Sequence, residues 1–323
     1  MLTFQEALAT VNREIKNINY PEQPRKLYEP IAYILDLKGK KVRPILTLLA
    51  CDLFKENTSE AVDVALAWEI FHNFTLMHDD VMDRADMRRG QATVHKKWNE
   101  NTAILSGDAM LILSYVYLAK ADQKYLKRLM DLFSKTAIEI CEGQEYDMQF
   151  ESRLDVTEDE YLNMIRLKTS VMLGATLMSG AIVAGAKEQD QKLLYDFGIN
   201  LGLAFQIQDD LLDAYGDSSV FGKKIGGDIL CNKKTYLLIS ALNTSEQDKK
   251  EELLQWLETT DNDDEKIKSV VNLYNQMRVK EKAQDKMEYY YQKAMQALKS
   301  VDVEDCKKEV LKSLAKELMV RES

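Results

Sequence analysis

Two short acidic motifs of identical form are the residues of this sequence with the clearest capacity for chemistry. The first is DDVMD at 79–83, the second is DDLLD at 209–213, and each follows an apolar, helix-compatible run. In a helix the first and last carboxylates of such a motif lie on one face, one turn apart. Because crowded carboxylates repel one another, both motifs predict a bound cation. The candidate metal ligands are Asp79, Asp80, Asp83, Asp209, Asp210 and Asp213.

The neighbouring residues indicate which cation. A di-iron bundle uses paired Glu-x-x-His motifs, but this spacing occurs once, at Glu69 and His72, in a chain with three histidines. The sequence contains no EF-hand loop for Ca²⁺. Mg²⁺ keeps several waters and shares one or two carboxylates with phosphate oxygens, which suits open acidic motifs. The motifs therefore favour Mg²⁺ carried by a phosphorylated or diphosphorylated ligand.

Basic residues follow or precede the acidic motifs at several points. A glycine-containing basic segment, KGKKVRP, occupies 38–44 at a predicted helix start, and RRG follows the first acidic motif at 88–90. Lys168, Lys223 and Lys233 lie further along the chain. Each cation alone is typical of a solvated surface. Together with the acidic motifs they predict two diphosphate sites, one bridged by metal and one bound directly by Lys and Arg.

Composition predicts an all-α fold to position these residues. All four prolines lie in the first 44 residues, while good helix formers are abundant in the rest of the chain. Apolar residues recur at helical spacing, for example before the first acidic motif. No linker divides the chain. We expect one domain over 1–323, with ten or more helices packed as a large bundle around a central cavity that the acidic motifs face.

Several helix boundaries are visible. Thr157 and Glu160 form a capping box, and the segment 243–246 precedes a predicted helix that ends near Thr259. A polar break at 261–265 is followed by two predicted helices at 266–300 and 304–318. Strand or turn signals of a β domain are absent from the sequence apart from 222–228.

Charge and cysteine spacing bear on partners and compartment. The formal charge of −10 disfavours nucleic acid or an anionic membrane as the main partner. The longest apolar run, 109–119, is too short to span a bilayer.

The cysteines show no paired spacing, which argues against a disulfide framework or zinc site. We expect a soluble, cytoplasmic protein. The cysteines are Cys51, Cys141, Cys231 and Cys306.

These motifs, taken with their flanking residues, resemble those of the trans-isoprenyl diphosphate synthase family between about Lys38 and Thr235. The block from Glu69 to Gly90 is similar to the family's first Asp-rich region, and the block from Phe205 to Thr235 is similar to the second. The family's middle motifs correspond to Gly143-Gln144-x-x-Asp147 and Tyr161-x-x-x-Ile165-x-x-Lys168-Thr169. One residue departs from the pattern, because Lys38 stands where the family usually has Gly.

The resemblance implies a reaction in which isopentenyl diphosphate adds head-to-tail to an allylic diphosphate of C5 to C15. Mg²⁺, three ions per active site, would be held by Asp79, Asp83 and Asp209, with support from Asp80, Asp210 and Asp213. The allylic diphosphate would be bound by Arg88, Lys168, Lys223 and Lys233, and Thr169 and Gln206 would direct oxygen dipoles at the allylic cation. Isopentenyl diphosphate would be held by Lys40, Arg43, His72 and Arg89. The resemblance also implies a homodimer.

Product length depends on Phe74 under the same resemblance. It lies five residues before Asp79, about 7.5 Å along a helix. An aromatic there, followed by the small Thr75, is typical of enzymes that make C20 or C15 products. From periodicity alone, Phe74 is equally compatible with ordinary core packing.

Alternative functions are less consistent with the motifs. A terpene cyclase has an Asn/Ser/Glu motif in place of the second Asp motif, and a head-to-head condensing enzyme does not need Lys40, Arg43 and Arg89 together. A non-catalytic subunit usually lacks acidic residues that this chain retains. A medium- or long-chain synthase stays the alternative within the family.

Overall fold

The structure, a computed structural model, describes residues 1–216, 226–243, 246–260 and 262–319, and this part of the chain is predominantly helical. The all-α prediction and the expected number of helices are confirmed. The helices are α1 Phe4–Lys16, α2 Arg25–Asp36, α3 Val42–Asp52, α4 Val62–Met82, α5 Val94–Lys97, α6 Glu100–Leu118, α7 Gln123–Glu151, α8 Glu158–Ile165, α9 Val171–Val183, α10 Glu188–Tyr215, α11 Gly227–Leu230, α12 Tyr236–Leu242, α13 Gln247–Glu258, α14 Asp263–Gln276, α15 Val279–Ser300 and α16 Asp305–Met319. A 3-10 turn, Ser59–Ala61, precedes α4, and a π-helical turn, Arg166–Ser170, joins α8 to α9.

Contacts between Cα atoms divide the chain into two compact units. The first unit comprises Met1–Phe133, Ala175–Leu194 and Asp302–Val310, and the second comprises Ser134–Gly174, Tyr195–Val301 and Leu311–Ser323. The first acidic motif belongs to the first unit and the second motif to the second unit. The single domain and the central cavity stay predictions.

Helix α4 is the centre of the first unit, where it packs against α3 and α6. Its buried residues lie all around its circumference. Trp68 is fully buried, donates a hydrogen bond from Nε1 to Ser179 Oγ at 3.0 Å, and packs against Phe133 with 4.5 Å between ring centroids. A buried Trp N–H needs a hydrogen-bond partner. This bond supplies one and also fixes the orientation of the ring. The helix that ends in the first acidic motif is therefore held rigidly.

The second unit has its own apolar core, built from α8, the second half of α10, α12, α14 and α15. Helix α8 begins at the predicted capping box, in which Thr157 accepts a hydrogen bond from Glu160 N and the Glu160 carboxylate accepts from Thr157 N at 2.9 Å. Tyr161 lies in the first turn of α8, which begins at Glu158, and is buried in this core. The core holds α8 against the end of α10 that carries the second acidic motif.

Two features differ from the sequence-based expectation. The predicted helix at 266–300 is wrong, because it is two helices separated at Arg278, whose φ of +55° breaks the helical path. The buried Met277 and Val279 flank this break, so packing on both sides determines it. Strands were not expected near 87–92, but Met87–Arg88 and Gln91–Ala92 form a small antiparallel hairpin, β1 and β2.

Candidate active site

The first acidic motif lies at the carboxyl end of α4. The helix ends in paired backbone bonds, from Arg84 N to Val81 O at 3.3 Å and from Ala85 N to Asp80 O at 3.0 Å, with Arg84 at a φ of +51°. Asp83 is exposed and Asp79 is partly buried. The carboxyl end of a helix carries partial negative charge, which disfavours nearby carboxylates. A bound cation would relieve this repulsion, as the sequence predicts.

Asp80, the middle acid of the motif, is buried and bound by Arg88. Arg88 Nε lies 2.9 Å from both carboxylate oxygens and Nη2 lies 2.7 Å from Oδ1. Burial raises the pKa of Asp80 above its usual value, while the Arg88 guanidinium acts in the opposite direction. Both residues were expected to serve the diphosphate and its metal, and the structure brings them together as a pair. Those ligand roles stay predictions.

The hairpin β1–β2 presents Arg88 and the adjacent Arg89. Its two loop residues, Arg89 and Gly90, have φ angles of +51° and +75°. Positive φ at both positions is typical of a type I′ turn, for which Asn-Gly is the usual sequence signal. With Arg at the first position that signal is lost, which explains why the hairpin was not expected.

The basic segment 38–44 forms the turn between α2 and the start of α3. A Cβ atom on Gly39 would lie 2.8 Å from Cζ of Arg89, so a side chain here would displace the guanidinium from its place beside this turn. Lys38 does not have a positive φ, and its side chain is exposed. The Lys that stands in place of the family's Gly therefore causes no left-handed strain.

Arg43 and His72 are joined by a hydrogen bond of 3.0 Å between Nη1 and Nε2. Burial lowers the pKa of His72 well below its usual value, and Arg43, Arg89, Arg88 and Lys41 lower it further. The ring is therefore neutral near pH 7 and accepts the arginine N–H. Burial also lowers the pKa of Arg43 to about 10, with Glu69 opposing this shift. Cations outnumber Glu69 here, so the cluster is suited to bind an anion.

The second acidic motif lies in the last two turns of α10, again at a carboxyl helix end. Asp210 is buried, and its Oδ2 accepts hydrogen bonds from the Tyr161 hydroxyl and, at 2.8 Å, from Tyr236 N. Asp213 Oδ2 accepts from Asp228 N at 3.0 Å. Burial raises the pKa of Asp210 to about 7 and that of Asp213 to about 6. Hydrogen bonds thus hold the middle acid of this motif too.

Lys233 lies near this second motif. Its Nζ is 3.6 Å from Asp228 Oδ1. Burial alone would lower its pKa, but the carboxylates of Asp228, Asp210, Asp147 and Asp209 raise it overall, so the ammonium stays charged. Lys223, the other lysine predicted here, lies outside the described residues.

The π-helical turn Arg166–Ser170 carries Lys168 and Thr169. Lys168 Nζ lies 2.6 Å from Asp147 Oδ2, and the Thr169 hydroxyl donates to Gln206 Oε1 at 3.3 Å. A Cβ on Gly143 would lie 2.3 Å from Lys168 N, so only glycine allows α7 to approach the turn this closely. Single π turns are common at functional sites. This geometry explains why Gly143 and Asp147 belong to one motif.

Phe74 is partly buried on α4 and contacts two other rings. Its centroid is 5.5 Å from Phe71 and 4.8 Å from His78. His78 Nε2 lies 3.0 Å from Ile104 O, and its ring fills the space that a Cβ on Gly107 would occupy. Thr75 donates its hydroxyl to His72 O at 2.8 Å. These contacts hold Phe74 in place, and its role in limiting product length stays a prediction.

Sequence reasoning missed two residues that hold the second motif. Tyr161 was noted within a motif but without a role, and Tyr236 was not considered. No local spacing connects either residue to Asp210, because tertiary packing brings them together. Within the described residues, the structure contains no cluster of three or more His, Cys, Asp or Glu side chains that is already shaped for a metal ion.

Comparisons with known proteins give a consistent result. A model of the family described as Polyprenyl synthetase matches residues 24–274. The short chain isoprenyl diphosphate synthase of Methanocaldococcus jannaschii is 39% identical over 274 residues, which cover 84% of this chain and 83% of that protein. The geranylgeranyl diphosphate synthase of Sulfolobus acidocaldarius is 36% identical over 302 residues, with coverage of 92% and 91%.

Solved structures agree. The crystal structure of geranylgeranyl pyrophosphate synthetase from Pyrococcus horikoshii Ot3 superposes with a TM-score of 0.93 at 30% sequence identity, covering 98% of this chain and 97% of that one. A crystal structure of a geranylgeranyl pyrophosphate synthase gives a TM-score of 0.95 at 45% identity over the full length of both chains.

The neutral state of His72 predicts a pH-dependent loss of stability. Below its ordinary pKa of about 6.5, an unfolded His72 binds a proton that the folded protein does not. Stability should therefore fall as pH decreases through 6.5, by about 1.4 kcal/mol between pH 7.5 and 5.5 from this residue. Urea unfolding at both pH values measures the change. His72→Gln should lose correspondingly less stability, and equal losses in both proteins would contradict the assignment.

Proposed function

Because the chain belongs to the polyprenyl synthetase family, we propose that it makes the C20 product geranylgeranyl diphosphate from isopentenyl diphosphate and allylic diphosphates. The chain is a short-chain trans-prenyltransferase, as its family and relatives show. Relatives described as geranylgeranyl diphosphate synthases support C20 as the product length. A relative described as a geranylfarnesyl diphosphate synthase, 37% identical over 259 residues, makes C25 the alternative.

One observation supports this mechanism more than any other, namely that both acidic motifs lie at carboxyl ends of helices. Carboxylates at these positions are stabilised by nearby cations. The donors are oxygens only, which suits Mg²⁺ better than a softer metal. Asp79, Asp83 and Asp209 would hold Mg²⁺, three ions per active site, supported by Asp80, Asp210 and Asp213. The bound metal would neutralise diphosphate charge and so make it a better leaving group.

The basic residues would bind the two substrates. Arg88, Lys168, Lys223 and Lys233 would hold the allylic diphosphate, whose departure leaves an allylic cation. Thr169, with its hydroxyl hydrogen donated to Gln206, would direct its oxygen lone pairs at that cation. Lys40, Arg43, neutral His72 and Arg89 would hold isopentenyl diphosphate, whose double bond attacks the cation. The released diphosphate would accept the final proton.

The exposed face of α6 supports the proposal of a homodimer. Leu105, Ile112 and Val116 are 60%, 64% and 52% exposed and lie on one side of the helix. By length and composition α6 could also cross a membrane, contrary to the expectation from the shorter run 109–119, but a single helix of this kind is weak evidence for a membrane span. A second copy of the chain would cover these residues in a soluble, cytoplasmic enzyme.

The condensation reaction tests the proposed function directly. Purified protein with Mg²⁺, labelled isopentenyl diphosphate and C5, C10 or C15 allylic diphosphates should yield mainly C20 product, measured by chromatography. Asp79→Ala should lower kcat by roughly 100- to 1000-fold, since it removes a proposed metal ligand. The control is Asp131→Ala, an exposed acid that pairs with Lys127. An absence of product with every starter would refute the function, and normal turnover by Asp79→Ala would refute its metal role.

Phe74→Ala should lengthen the product if the ring limits the growing chain. The expected result is a shift from C20 towards C25 and longer products in the same assay, because the substitution removes the ring that contacts Phe71 and His78. Tyr289→Ala, which truncates an aromatic residue that is 51% exposed, is the matched control. An unchanged product distribution would show that Phe74 does not limit length.

The double substitution Leu105→Glu/Ile112→Glu should convert the dimer to a monomer, because it places charge on the apolar face of α6. Analytical ultracentrifugation measures the mass of each protein. Lys127→Glu, at an 83% exposed side chain of α7, is the control for added negative charge. A wild-type protein that sediments as a monomer would contradict the homodimer.

A further inference from the structure

Lys41 and Glu69 form a buried ion pair beneath the basic turn 38–41. Lys41 Nζ lies 3.0 Å from Glu69 Oε1, and the two side chains are only 4% and 1% exposed. Lys41 Nζ also donates a hydrogen bond to Leu35 O at 2.9 Å. Asn73 Nδ2 donates to Glu69 Oε1 and to Glu69 O, each at 2.8 Å. Both charged groups are therefore buried with protein partners.

This arrangement costs free energy, which would be unexpected if Lys41 and Glu69 contributed only to the stability of the fold. A buried ion pair rarely stabilises a fold more than well-packed apolar residues of similar size would. Lys41 also adopts the left-handed backbone conformation, with φ +46° and ψ +38°, which is unfavourable for most residues other than glycine. Strain and buried charge at one position indicate a functional constraint on the shape of this turn.

The pair connects three helices around the turn. Leu35 is in the last turn of α2, Lys41 is the residue that precedes α3, and Glu69 is in the middle of α4. The turn that they enclose carries Lys40, and the first turn of α3 carries Arg43. Arg43 in turn bonds His72, which lies three residues after Glu69 on α4. Any movement of Lys41 would change the spacing of these groups.

We propose that Lys41 and Glu69 are a positioning pair that holds the basic turn in the conformation that binds the diphosphate of isopentenyl diphosphate. This inference rests on the proposed function, since that function assigns Lys40, Arg43 and Arg89 to this substrate. Lys41 itself is not a ligand, because its ammonium group is buried and bound by Leu35 O and Glu69. Its contribution is geometric, and it is exerted through its neighbours.

An alternative role for Glu69 predicts the opposite effect on diphosphate binding. If Glu69 acted only as a counter-charge to the nearby arginines, its removal would strengthen diphosphate binding. If it positions the turn, its removal weakens binding. Glu69→Gln keeps the size of the side chain and an oxygen for Asn73, so it changes the charge with the least change in packing.

The experiment compares steady-state kinetics of the full-length variants with both substrates. Glu69→Gln and Lys41→Met should each raise KM for isopentenyl diphosphate about tenfold or more, equivalent to losing one charge-assisted hydrogen bond. The kcat and the KM for the allylic substrate should change less than about threefold. Lys41→Arg, which retains the charge and its donors, should restore most of the affinity. A lower KM in Glu69→Gln would overturn the proposal in favour of the counter-charge role.

Two further variants separate positioning from charge and from stability. Lys38→Met removes a cation from the same turn, but at an exposed side chain, and should leave KM within about twofold. Lys41→Met/Glu69→Leu replaces the buried pair with apolar groups, which usually preserves or increases stability. The proposal requires this double variant to remain as resistant to urea as the wild type while KM stays raised.

The outcomes are distinguishable from failure of the proposed function. A stable double variant with wild-type KM, or a Lys38→Met variant with an equal rise in KM, overturns the positioning role alone. A wild-type protein that forms no product with any starter overturns the proposed function and this inference with it.

Discussion

Electrostatic repulsion at two helix ends is the constraint on which this structure depends. Both acidic motifs extend to the carboxyl ends of their helices, where backbone carbonyls already concentrate negative charge. Nothing in helix formation favours carboxylates there. The protein instead fixes each helix by burial along its length, through the hydrogen bond from Trp68 of α4 to Ser179 of α9 and through the apolar core around the end of α10. Stability is thus supplied away from the site, and the site retains unfavourable charge that a ligand can relieve.

A division of roles within each motif follows from this constraint. The middle acids, Asp80 and Asp210, are buried and satisfied by Arg88 in one case and by Tyr161 and Tyr236 in the other. The flanking acids keep more contact with solvent. Anchoring one carboxylate fixes the helix end and so orients its neighbours before any ligand binds, which is the physical basis of preorganisation. Lys41 and Glu69 follow the same pattern at the basic turn.

Sequence reasoning was sufficient where structure depends on local signals. Helix formers and the position of the prolines predicted the all-α class, and Thr157 with Glu160 predicted the start of α8. Motif resemblance identified the family. Neither local signals nor motif resemblance could predict features that depend on tertiary contacts. Arg278 lies at a helix break that has no glycine or proline, and Arg89 occupies a turn position that usually holds Asn or Gly.

The site residues show the same limit. The pairing of Lys168 with Asp147 joins residues on different helices, and the inward direction of Lys41 follows from the buried Glu69 rather than from its basic neighbours. A cluster of lysines in a sequence does not reveal which one is turned into the protein. Only the packing of α2, α3 and α4 decides that Lys41 is internal while Lys38 and Lys40 are exposed.

The π turn at Arg166–Ser170 has a consequence for how this region tolerates insertions and deletions. A π turn is an α-helix with one additional residue, so α8 and α9 form one continuous helix in which the periodicity of the sequence shifts by about 100° at the turn. The turn itself absorbs the additional residue, so removing that residue would restore a regular helix and leave the side chains of α8 and α9 on their present faces. The side chains that would move are those of the turn, including Lys168 and Thr169, which contact Asp147 and Gln206. A single-residue deletion here should therefore preserve the packing of both helices and disturb the groups that the turn positions.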